Sequence, residues 1–562
     1  MRYIFNNSLS WSEELGKFLF VWISWLGISI GAKRKEHIKI TMFIDKVSPK
    51  LKCLCDILSE LIIFGICAVT AYYGLELVIS QSQIFFAGIK ISMSWGYLSV
   101  VLGCFIMMIR NLIIIKDTFT TLKKGGKRMT FLVLFIVLFI MLAIGVPVGF
   151  AIGGATMISM YFCSNLNMVV NAQYCFSGIN SFTVMAIPFF MLAGLIMSTG
   201  GIAKRIVNFA SALIDFVIGA LGCVTILACM FFGALSGSGM ATTSAIGGMM
   251  IPEMKKKGYS SEYAATLVCF GGIVGPIIPP SLSFVLYGAT TNTPVPELFL
   301  AGVLPGVFLG LIFLLMNILI CKKTKTEVRK IEEKTVTLKE LLLNRLKRIW
   351  IATKEGIWAL LSPTIILGGI YSGIFTPTEA ACISVVYSAF VSYFIYKDLN
   401  LKALYNTLLD AAVLNGITSF LLGYSTVFST FMTFEKVPQL ISTFLTTISS
   451  NPFVVLFFIN LILLFIGLFL DTVPAIIVMA PMLLPTVKAL GINPVHFGVV
   501  MAVNLAIGLC TPPYGCNLFV GAAVAKIKLD SMFKLIIPFF LAAIFALAII
   551  TYVPWLSLVF IK

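Results

Sequence analysis

Two short polar stretches interrupt long apolar runs and carry side chains that could bind an ion. GALSGSGMATTSA at 233–245 supplies hydroxyl groups, and GLFLDTVPA at 467–475 supplies one carboxylate, Asp471. An ionisable group inside apolar sequence is costly and marks an ion or substrate path. Hydroxyl, carboxylate and carbonyl oxygens suit a hard cation such as sodium. For the serine-rich stretch, the alternative is close helix packing by small residues.

Two further stretches break the helical pattern with glycine and proline. They read GGIVGPIIPPS at 271–281 and IGLCTPPYG at 507–515. Proline removes a backbone donor and glycine weakens a helix, so carbonyl groups lose their helical partners there. In lipid, such groups need another partner. We therefore expect each break to face a polar stretch and to contribute backbone oxygens to the same site.

The polar stretches and the breaks belong to an internal repeat. An offset of 233 residues pairs Gly275 with Gly508 and places Ser238 on Asp471. The same offset pairs Met249 with Met482, Pro252 with Pro485, Lys255 with Lys488, Gly258 with Gly491, Pro279 with Pro512, Pro280 with Pro513, Gly288 with Gly521 and Ala289 with Ala522. Secondary transporters build midplane binding sites from such repeated, discontinuous helices.

The repeat assigns candidate ligands to both of its units. Each polar stretch would supply side-chain oxygens, and the facing break would supply carbonyl oxygens. The predicted sodium ligands are Ser238, Gly275, Ile278, Pro279, Asp471, Thr472, Gly508, Thr511 and Pro512.

Other ionisable side chains have less specific patterns. Glu379, in TPTEAA, is either a functional group or the start of a helix, where the helix dipole favours an acidic residue. His37 and His496 are expected in loops, solvated and outside any zinc site or Ser/His/Asp triad. No GxxxxGK[ST] phosphate loop occurs, so we expect no use of ATP. The lack of a nucleophile–base pair also argues against an enzyme.

The composition indicates an all-α integral membrane protein. The 562 residues are 59% hydrophobic and 11% charged, and many apolar runs approach the roughly 20 residues of a membrane-spanning helix. The net charge of +17 is concentrated in short basic loops, which the positive-inside rule places in the cytoplasm. The charge therefore requires no nucleic-acid partner, and the expected surroundings are a lipid bilayer.

A basic linker ending at Arg128 divides the chain into two expected domains. Residues 1–128 hold about three apolar segments, and residues 129–562 hold the repeats. The apolar run at 131–163 is too long for one crossing. We expect GVPVG at 145–149 to divide it into two arms, and we expect one continuous segment at 207–232.

The two repeats, around 207–320 and 437–560, are predicted to have opposite orientations. The first contains EMKKKGYSSE with three consecutive lysines, whereas the second has TVKALGINPVH with one lysine at the equivalent place. The positive-inside rule puts the first loop in the cytoplasm and the second outside. The repeat is therefore expected to be inverted, with a re-entrant hairpin and a broken helix in each unit.

Several longer motifs resemble the large membrane subunit of the tripartite ATP-independent periplasmic (TRAP) transporters. They are SGSGMATTSAIGGMMIPEMKKKGY, GPIIPPS with LYG at 286–288, TPTEAA, GLFLD with Pro481, and NPVHFGVVMAVNLAIGLCTPPYGCNLFV. The front part, RYIFNNSLSWSEELGKFLFVWISWLGISIGAKRKEHI, is similar to the small subunit, so the chain resembles a fused permease. The family's small subunit has a further apolar helix before the RY motif. We therefore expect residues 1–128 to lack one helix, unless the natural start lies upstream.

The resemblance implies a sodium-driven elevator carrier in the bacterial cytoplasmic membrane, with two or more sodium sites. An extracytoplasmic binding protein would deliver an organic anion, preferably sialic acid or a related sugar acid, and next a C4-dicarboxylate. Helix N-termini at the hairpin tips offer amides to a carboxylate. The expected substrate-binding residues are Ser236, Ser238, Thr242, Thr243, Ser281 and Asn517. The alternatives are a sodium/carboxylate symporter that needs no binding protein, and an ion channel.

Overall fold

A computed structural model describes most of the chain. The described residues are 10–34, 49–86, 88–118, 130–163, 167–214, 216–324, 338–435, 451–468, 470–512 and 515–561. The RY motif, His37, the end of the basic linker, the first residues of the predicted second repeat and Pro513 lie outside them.

The described residues form α-helices, and their only β-pairing is an isolated bridge between Phe85 and Ser92. The first helices are α1 (Ser10–Arg34), α2 (Pro49–Ser80), α3 (Met93–Thr118), α4 (Thr130–Ala143), α5 (Val148–Cys163), α6 (Val169–Ile179), α7 (Ala186–Thr199) and α8 (Ile202–Ile214). There follow α9 (Ala220–Ser236), α10 (Gly239–Lys256), α11 (Ser261–Gly272), α12 (Leu282–Thr291), α13 (Val295–Thr324), α14 (Leu338–Tyr371) and α15 (Pro377–Phe390), which continues as a π-helix at Val391–Ile395. The last are α16 (Leu401–Phe434), α17 (Pro452–Gly467), α18 (Thr472–Ala489), α19 (Pro494–Gly508), α20 (Cys516–Ala525), α21 (Phe533–Tyr552) and α22 (Trp555–Leu558).

Many of these helices have the length and composition of membrane spans. Within the described ranges, six helices are long and apolar enough to cross a membrane, or seven if the bent pair α7 and α8 counts as one span. Several shorter apolar helices of 10–17 residues, among them α9, α12, α17, α19 and α20, adjoin the predicted tips and breaks. This confirms the all-α membrane fold with interrupted helices.

One compact unit contains the described residues of 1–185, 409–441 and 477–482. Within it, α3 packs against α1 and α2, and α4 packs against α5. Phe420 lies at an aromatic centre, with its ring 4.2 Å from that of Phe150 and 6.0 Å from that of Trp25. The buried hydroxyls of Thr70 and Tyr424 are hydrogen-bonded at 2.7 Å. The unit thus combines an apolar core with a satisfied polar pair.

The other compact unit contains the described residues of 186–408, 442–476 and 483–562, and it holds all the predicted ligands. Here α9 packs against α10 as a helical hairpin, and α11 packs against both arms and against α20. In the same unit, α17 packs against α19 and α13 against α21. Helices from both repeats therefore pack around the predicted sites.

The helix boundaries reproduce the repeat seen in the sequence. α10 and α18 begin at residues 239 and 472, and α11 and α19 begin at 261 and 494, so both pairs are 233 residues apart. α12 and α20 begin at 282 and 516, one residue out of that register. The capping residues correspond as well, because Ser238 and Asp471 cap the first pair and Ser260 and Asn493 cap the second.

The break predicted at 145–149 is confirmed, whereas the continuous segment predicted at 207–232 is wrong. α4 ends at Ala143 and α5 begins at Val148. The other segment is divided between α8 and α9. Gly219 takes a left-handed conformation there and caps α9. Its carbonyl accepts hydrogen bonds from the Cys223 amide and from Asn317 Nδ2, both at 3.0 Å.

Candidate functional site

The first hairpin brings the predicted hydroxyl groups together in one turn. α9 ends at Ser236 and α10 begins at Gly239, so Gly237 and Ser238 form the tip. Gly237 has a φ of 60°, a conformation that glycine adopts without a Cβ clash. Ser238 Oγ accepts a hydrogen bond from the Ala241 amide at 3.4 Å and so caps α10.

Thr242 lies at the centre of this turn. Its hydroxyl donates to the Ser238 carbonyl at 2.7 Å and lies 3.0 Å from Ser236 Oγ. A hydroxyl that donates one hydrogen bond still has lone pairs to offer. Three of the predicted residues thus form one hydrogen-bonded group with oxygen atoms available to a ligand.

The break of the first repeat lies directly against this group. A methyl group placed on Gly275 would lie 2.9 Å from Thr242 Oγ1, 3.0 Å from the Ser238 carbonyl oxygen and 3.2 Å from the Gly272 carbonyl oxygen. We call these three atoms the Gly275 oxygen cluster. Its members come from the hairpin and from the end of α11, so the fold brings oxygens from two elements against the same glycine. Gly272 belongs to the stretch at 271–281, but it was not among the predicted ligands.

The residues after Gly275 leave backbone carbonyls available. Within the described part of the chain, the carbonyls of Gly275, Ile278 and Pro279 accept no hydrogen bond, and α12 starts only at Leu282. A buried carbonyl without a protein partner is costly unless a ligand or water completes it. This agrees with the predicted loss of helical pairing at the break.

Ser281 ends the break and has a structural role. It is fully buried, its hydroxyl donates to the Pro276 carbonyl, and its Oγ accepts from the Phe284 amide at 3.4 Å as the cap of α12. The hairpin tip touches the same place, because a methyl on Gly237 would lie 2.7 Å from the Pro280 carbonyl oxygen. Ser281 is therefore beside the predicted site with its hydroxyl engaged by the backbone.

In both repeats, the helix that leads into the polar stretch crosses the break so closely that the two backbones are in contact. A methyl on Gly233 would lie 2.7 Å from Gly275 Cα, and a methyl on Gly508 would lie 2.6 Å from Gly467 Cα. Only glycine permits such an approach without displacing the main chain. The predicted ligand Gly508 thus occupies the position of Gly275 in the second repeat.

Asp471 caps α18 in the second repeat. Its Oδ1 accepts a hydrogen bond from the Thr472 amide at 2.6 Å and lies 3.3 Å from Thr472 Oγ1. Asp471 and Thr472 therefore lie side by side at the N-terminus of α18.

Thr511 and Pro512 lie within that second break. Thr511 Oγ1 donates to the Ile507 carbonyl at 2.9 Å, and its amide donates to the Gly508 carbonyl at 3.0 Å. Among the described contacts, neither Thr511 nor Pro512 is hydrogen-bonded to Asp471. The structure thus brings the second set of predicted sodium ligands together only in part.

Thr243 and Asn517 meet at Gly272, although they belong to different repeats. A methyl on Gly272 would clash with Thr243 Oγ1 and would lie 3.1 Å from Asn517 Nδ2. The Asn517 amide donates to the Cys269 carbonyl at 2.8 Å. Thr243 Oγ1 and Asn517 Oδ1 are buried and have no hydrogen-bond partner among the described residues. Two predicted substrate-binding side chains thus retain unused polar atoms next to the Gly275 oxygen cluster.

A buried polar network in the second repeat was missed. Asn504 Nδ2 donates to Asn460 Oδ1 at 2.8 Å, and Asn460 Nδ2 donates to Thr551 Oγ1 at 3.0 Å. The isolated asparagines in the apolar runs of α17 and α19 were the signal that could have found it. The network links α17, α19 and α21.

The expectation that His496 lies solvated in a loop is wrong. Pro494 starts α19, so His496 lies in its first turn, where it is 2% exposed and its Nε2 lies 3.2 Å from the Thr551 carbonyl oxygen. Glu379 is the first-turn residue of α15, and it forms a reciprocal capping box with Thr376. The structure thus supports the helix-start alternative for Glu379.

Comparison with known proteins identifies two family components in the chain. The model of the tripartite ATP-independent periplasmic transporter, DctM component, matches residues 135–556, and that of the DctQ component matches residues 1–122. The isethionate TRAP transporter permease protein of Oleidesulfovibrio alaskensis is 32% identical over 98% of this chain and 88% of its own length. The sialic acid TRAP transporter permease protein of Haemophilus influenzae is 31% identical over 98% of this chain and 93% of its own.

A relative with the large component alone is also similar. The C4-dicarboxylate TRAP transporter large permease protein of Pseudomonas aeruginosa is 40% identical over 67% of this chain and 86% of its own length. The family models together cover most of the sequence, and two relatives match nearly its full length. The chain therefore belongs to the tripartite ATP-independent periplasmic transporter family, as a multi-pass inner-membrane permease that carries both membrane components.

Proposed function

We propose that this permease uses a sodium gradient to import a small organic acid anion delivered by an extracytoplasmic binding protein. The observation that carries the sodium part is the Gly275 oxygen cluster. Three uncharged oxygens, two of them from the main chain, converge on Gly275 beside a helix break, each within 3.2 Å of the position that a Cβ on Gly275 would take. Unwound carbonyls and hydroxyls of this kind coordinate sodium in transporters with broken helices.

The second repeat supports a further sodium site. Gly508 repeats the position of Gly275, and Asp471 repeats the capping position of Ser238. A carboxylate adds full charge to a set of otherwise neutral oxygens, so it would strengthen cation binding. Asp471, Thr472 and the carbonyls of the second break would hold the ion there, and the bound ion would supply charge compensation for an anionic substrate.

The substrate would lie beside the first sodium site. Thr243 and Asn517 present buried polar atoms at Gly272 without partners among the described residues. The N-terminus of α10 lies close by, because a methyl on Gly239 would lie 3.4 Å from the Gly272 carbonyl oxygen. Hydroxyls, an amide and a helix N-terminus together suit a carboxylate or a similar anion. Coupled movement of the hairpins and broken helices as one body, the elevator mechanism, would carry ion and substrate together.

The names of the relatives suggest the substrates to test. The two relatives that match nearly the whole chain are named as permeases for isethionate and for sialic acid. The relative with the large component alone is named as a C4-dicarboxylate permease. Sialic acid remains the first candidate and C4-dicarboxylates the next, and isethionate joins the panel because its carrier also combines both components. All three classes are small organic acids.

The experiment is uptake into proteoliposomes that contain the full chain. Each substrate is offered with and without its binding protein, and with an inward sodium gradient or equal sodium on both sides. We expect uptake only when the gradient and the binding protein are both present. Uptake without the binding protein would favour the simpler symporter, and a substrate-independent ionic current would favour a channel.

Asp471→Asn provides the matched variant, because it keeps the size of the side chain and removes its charge. We expect it to insert normally and to lose sodium-driven uptake. Ser238→Ala, at the equivalent position, removes no charge and should have the smaller effect. If Asp471→Asn kept the parent's sodium dependence, Asp471 would serve only as the cap of α18.

A further inference from the structure

A groove lies where two membrane-length helices meet in sequence. It is a cavity of about 550 Å³ between the π-helical end of α15 and the start of α16. It is lined by Tyr393, Phe394, Lys397, Leu399, Asn400 and Leu401. Residues 377–395 and 401–434 are both long and apolar enough to span a membrane. A groove at their junction therefore lies at the boundary between lipid and water.

The contacts of Tyr396 indicate which boundary this is. Its hydroxyl accepts a hydrogen bond from the Ala359 amide at 3.1 Å and donates to the Glu355 carbonyl at 3.3 Å. Glu355 lies on α14, directly after the basic first half of that helix, which contains Lys347, Arg348 and Lys354. The positive-inside rule puts this basic half on the cytoplasmic side, so the groove faces the cytoplasmic leaflet.

The charges around the groove leave it cationic. Asp398 forms an ion pair with Arg205, whose guanidinium also stacks 4.0 Å from the centre of the Tyr396 ring. Lys397 lines the groove and Lys402 directly follows the lining residue Leu401. Both lysines are exposed, and no carboxylate in the described part of the chain pairs with either ammonium group. The carboxylate nearest in sequence is thus neutralised while two lysines remain available.

The rest of the lining combines a donor with an apolar wall. Asn400 Oδ1 accepts a hydrogen bond from the Ala403 amide at 2.7 Å, which leaves its NH₂ group as a donor. Phe394 and Leu401 are 60% and 68% exposed, and Tyr405 on the next turn of α16 is also exposed. A phosphate would match the lysines and the amide, and acyl chains would match the apolar wall.

We infer that this groove binds an anionic phospholipid of the cytoplasmic leaflet, with its phosphate at Lys397 and Lys402 and its acyl chains along Phe394 and Leu401. A free phosphate would need only the cationic end and gains nothing from exposed aromatic and leucine side chains. The leaflet in question is the one that carries anionic lipids. The site is independent of the sodium and substrate sites.

The test is native mass spectrometry of the purified full chain, titrated with phosphatidylglycerol or with phosphatidylcholine of the same acyl chains. The double variant K397Q/K402Q removes both charges and leaves the Arg205–Asp398 pair intact. The matched control is K526Q/K528Q, which also removes two lysines, from the short basic stretch KIK at 526–528 that the positive-inside rule places in the cytoplasm. Lys526 has the same φ of 57° as Lys397, so the backbone demands are alike.

We expect the parent to retain phosphatidylglycerol in preference to phosphatidylcholine. K397Q/K402Q should weaken that binding about 30-fold, as expected for two lysines near an anionic surface, and K526Q/K528Q should not. Equal losses in both double variants, or no preference between the two lipids, would overturn the inference. The inference would also be overturned if inorganic phosphate alone displaced the lipid, or if a second copy of the chain occupied the groove in the presence of either lipid.

Discussion

Replacing Thr242 by valine tests the Gly275 oxygen cluster with little change of shape. The substitution removes one of the three oxygens and retains the branched side chain. Thr225→Val is the matched control, because Thr225 is also fully buried and also donates at 2.7 Å to the carbonyl four residues earlier. The two variants lose the same kind of intrahelical hydrogen bond, and only Thr242→Val loses an oxygen of the proposed sodium site.

The structure sets the expected magnitudes. Each variant should lose about 0.5–1.5 kcal/mol of stability, the net value of a neutral hydrogen bond. An interaction with a charged partner contributes about 1.5–3 kcal/mol, so Thr242→Val should weaken sodium binding by about 10- to 100-fold. Thr225→Val should leave sodium affinity unchanged.

The assay is calorimetric titration of the purified variants with sodium, in parallel with thermal unfolding at several sodium concentrations. Binding to the folded state raises the unfolding temperature with ligand concentration, so the two measurements report the same affinity independently. If both folded variants bound sodium as tightly as the parent, the Gly275 oxygen cluster would not be a sodium site, and the tip hydroxyls would serve helix packing alone.

Two further predictions concern the space in the site and the orientation of the repeats. Gly275→Ala should reduce sodium-driven uptake and destabilise the fold by about 1–3 kcal/mol, because its methyl meets two main-chain oxygens within 3.2 Å. At Gly248, a methyl would have no neighbouring atom within 4 Å. Gly248→Ala should therefore retain uptake and gain about 0.8–1 kcal/mol of helix stability. Unfolding and uptake measurements check both, and equal uptake by the two variants would contradict the reasoning. Lys255→Cys and Lys488→Cys, at equivalent exposed positions of the repeats, should react with an impermeant maleimide from the cytoplasmic and the outer side, respectively. Labelling of both from one side would show that the repeat is not inverted.

The sequence was sufficient for those features that depend on local chemistry and periodicity. Apolar run lengths indicated membrane helices, and glycine and proline indicated the breaks, because both effects act within a few residues. The offset of 233 residues anticipated the starts of α10, α18, α11 and α19, since capping residues and prolines set a helix boundary wherever the chain is placed. These local features therefore indicated where the breaks and polar tips of the candidate site lie in the chain.

The local sequence pattern was less informative where a residue in an apolar run contacts a residue far away in the chain. At the interruption between α8 and α9, the Gly219 carbonyl accepts a hydrogen bond from Asn317, almost a hundred residues later. His496 Nε2 likewise lies beside the carbonyl of Thr551, near the end of α21. Neither partner can be inferred from the neighbouring residues, because the contact forms only once helices pack.

The composition of the candidate site was decided by the tertiary structure. The sequence placed Ser238 and Thr242 in a polar stretch and Gly275 in a break, but it could not say that Gly272 would supply the third oxygen, or that Thr243 and Asn517 from different repeats would meet there. These neighbours are brought together by backbone contact at Gly233, Gly275, Gly467 and Gly508. Such contact depends on two helices crossing at one residue, and a crossing point is a property of packed surfaces that no single segment contains.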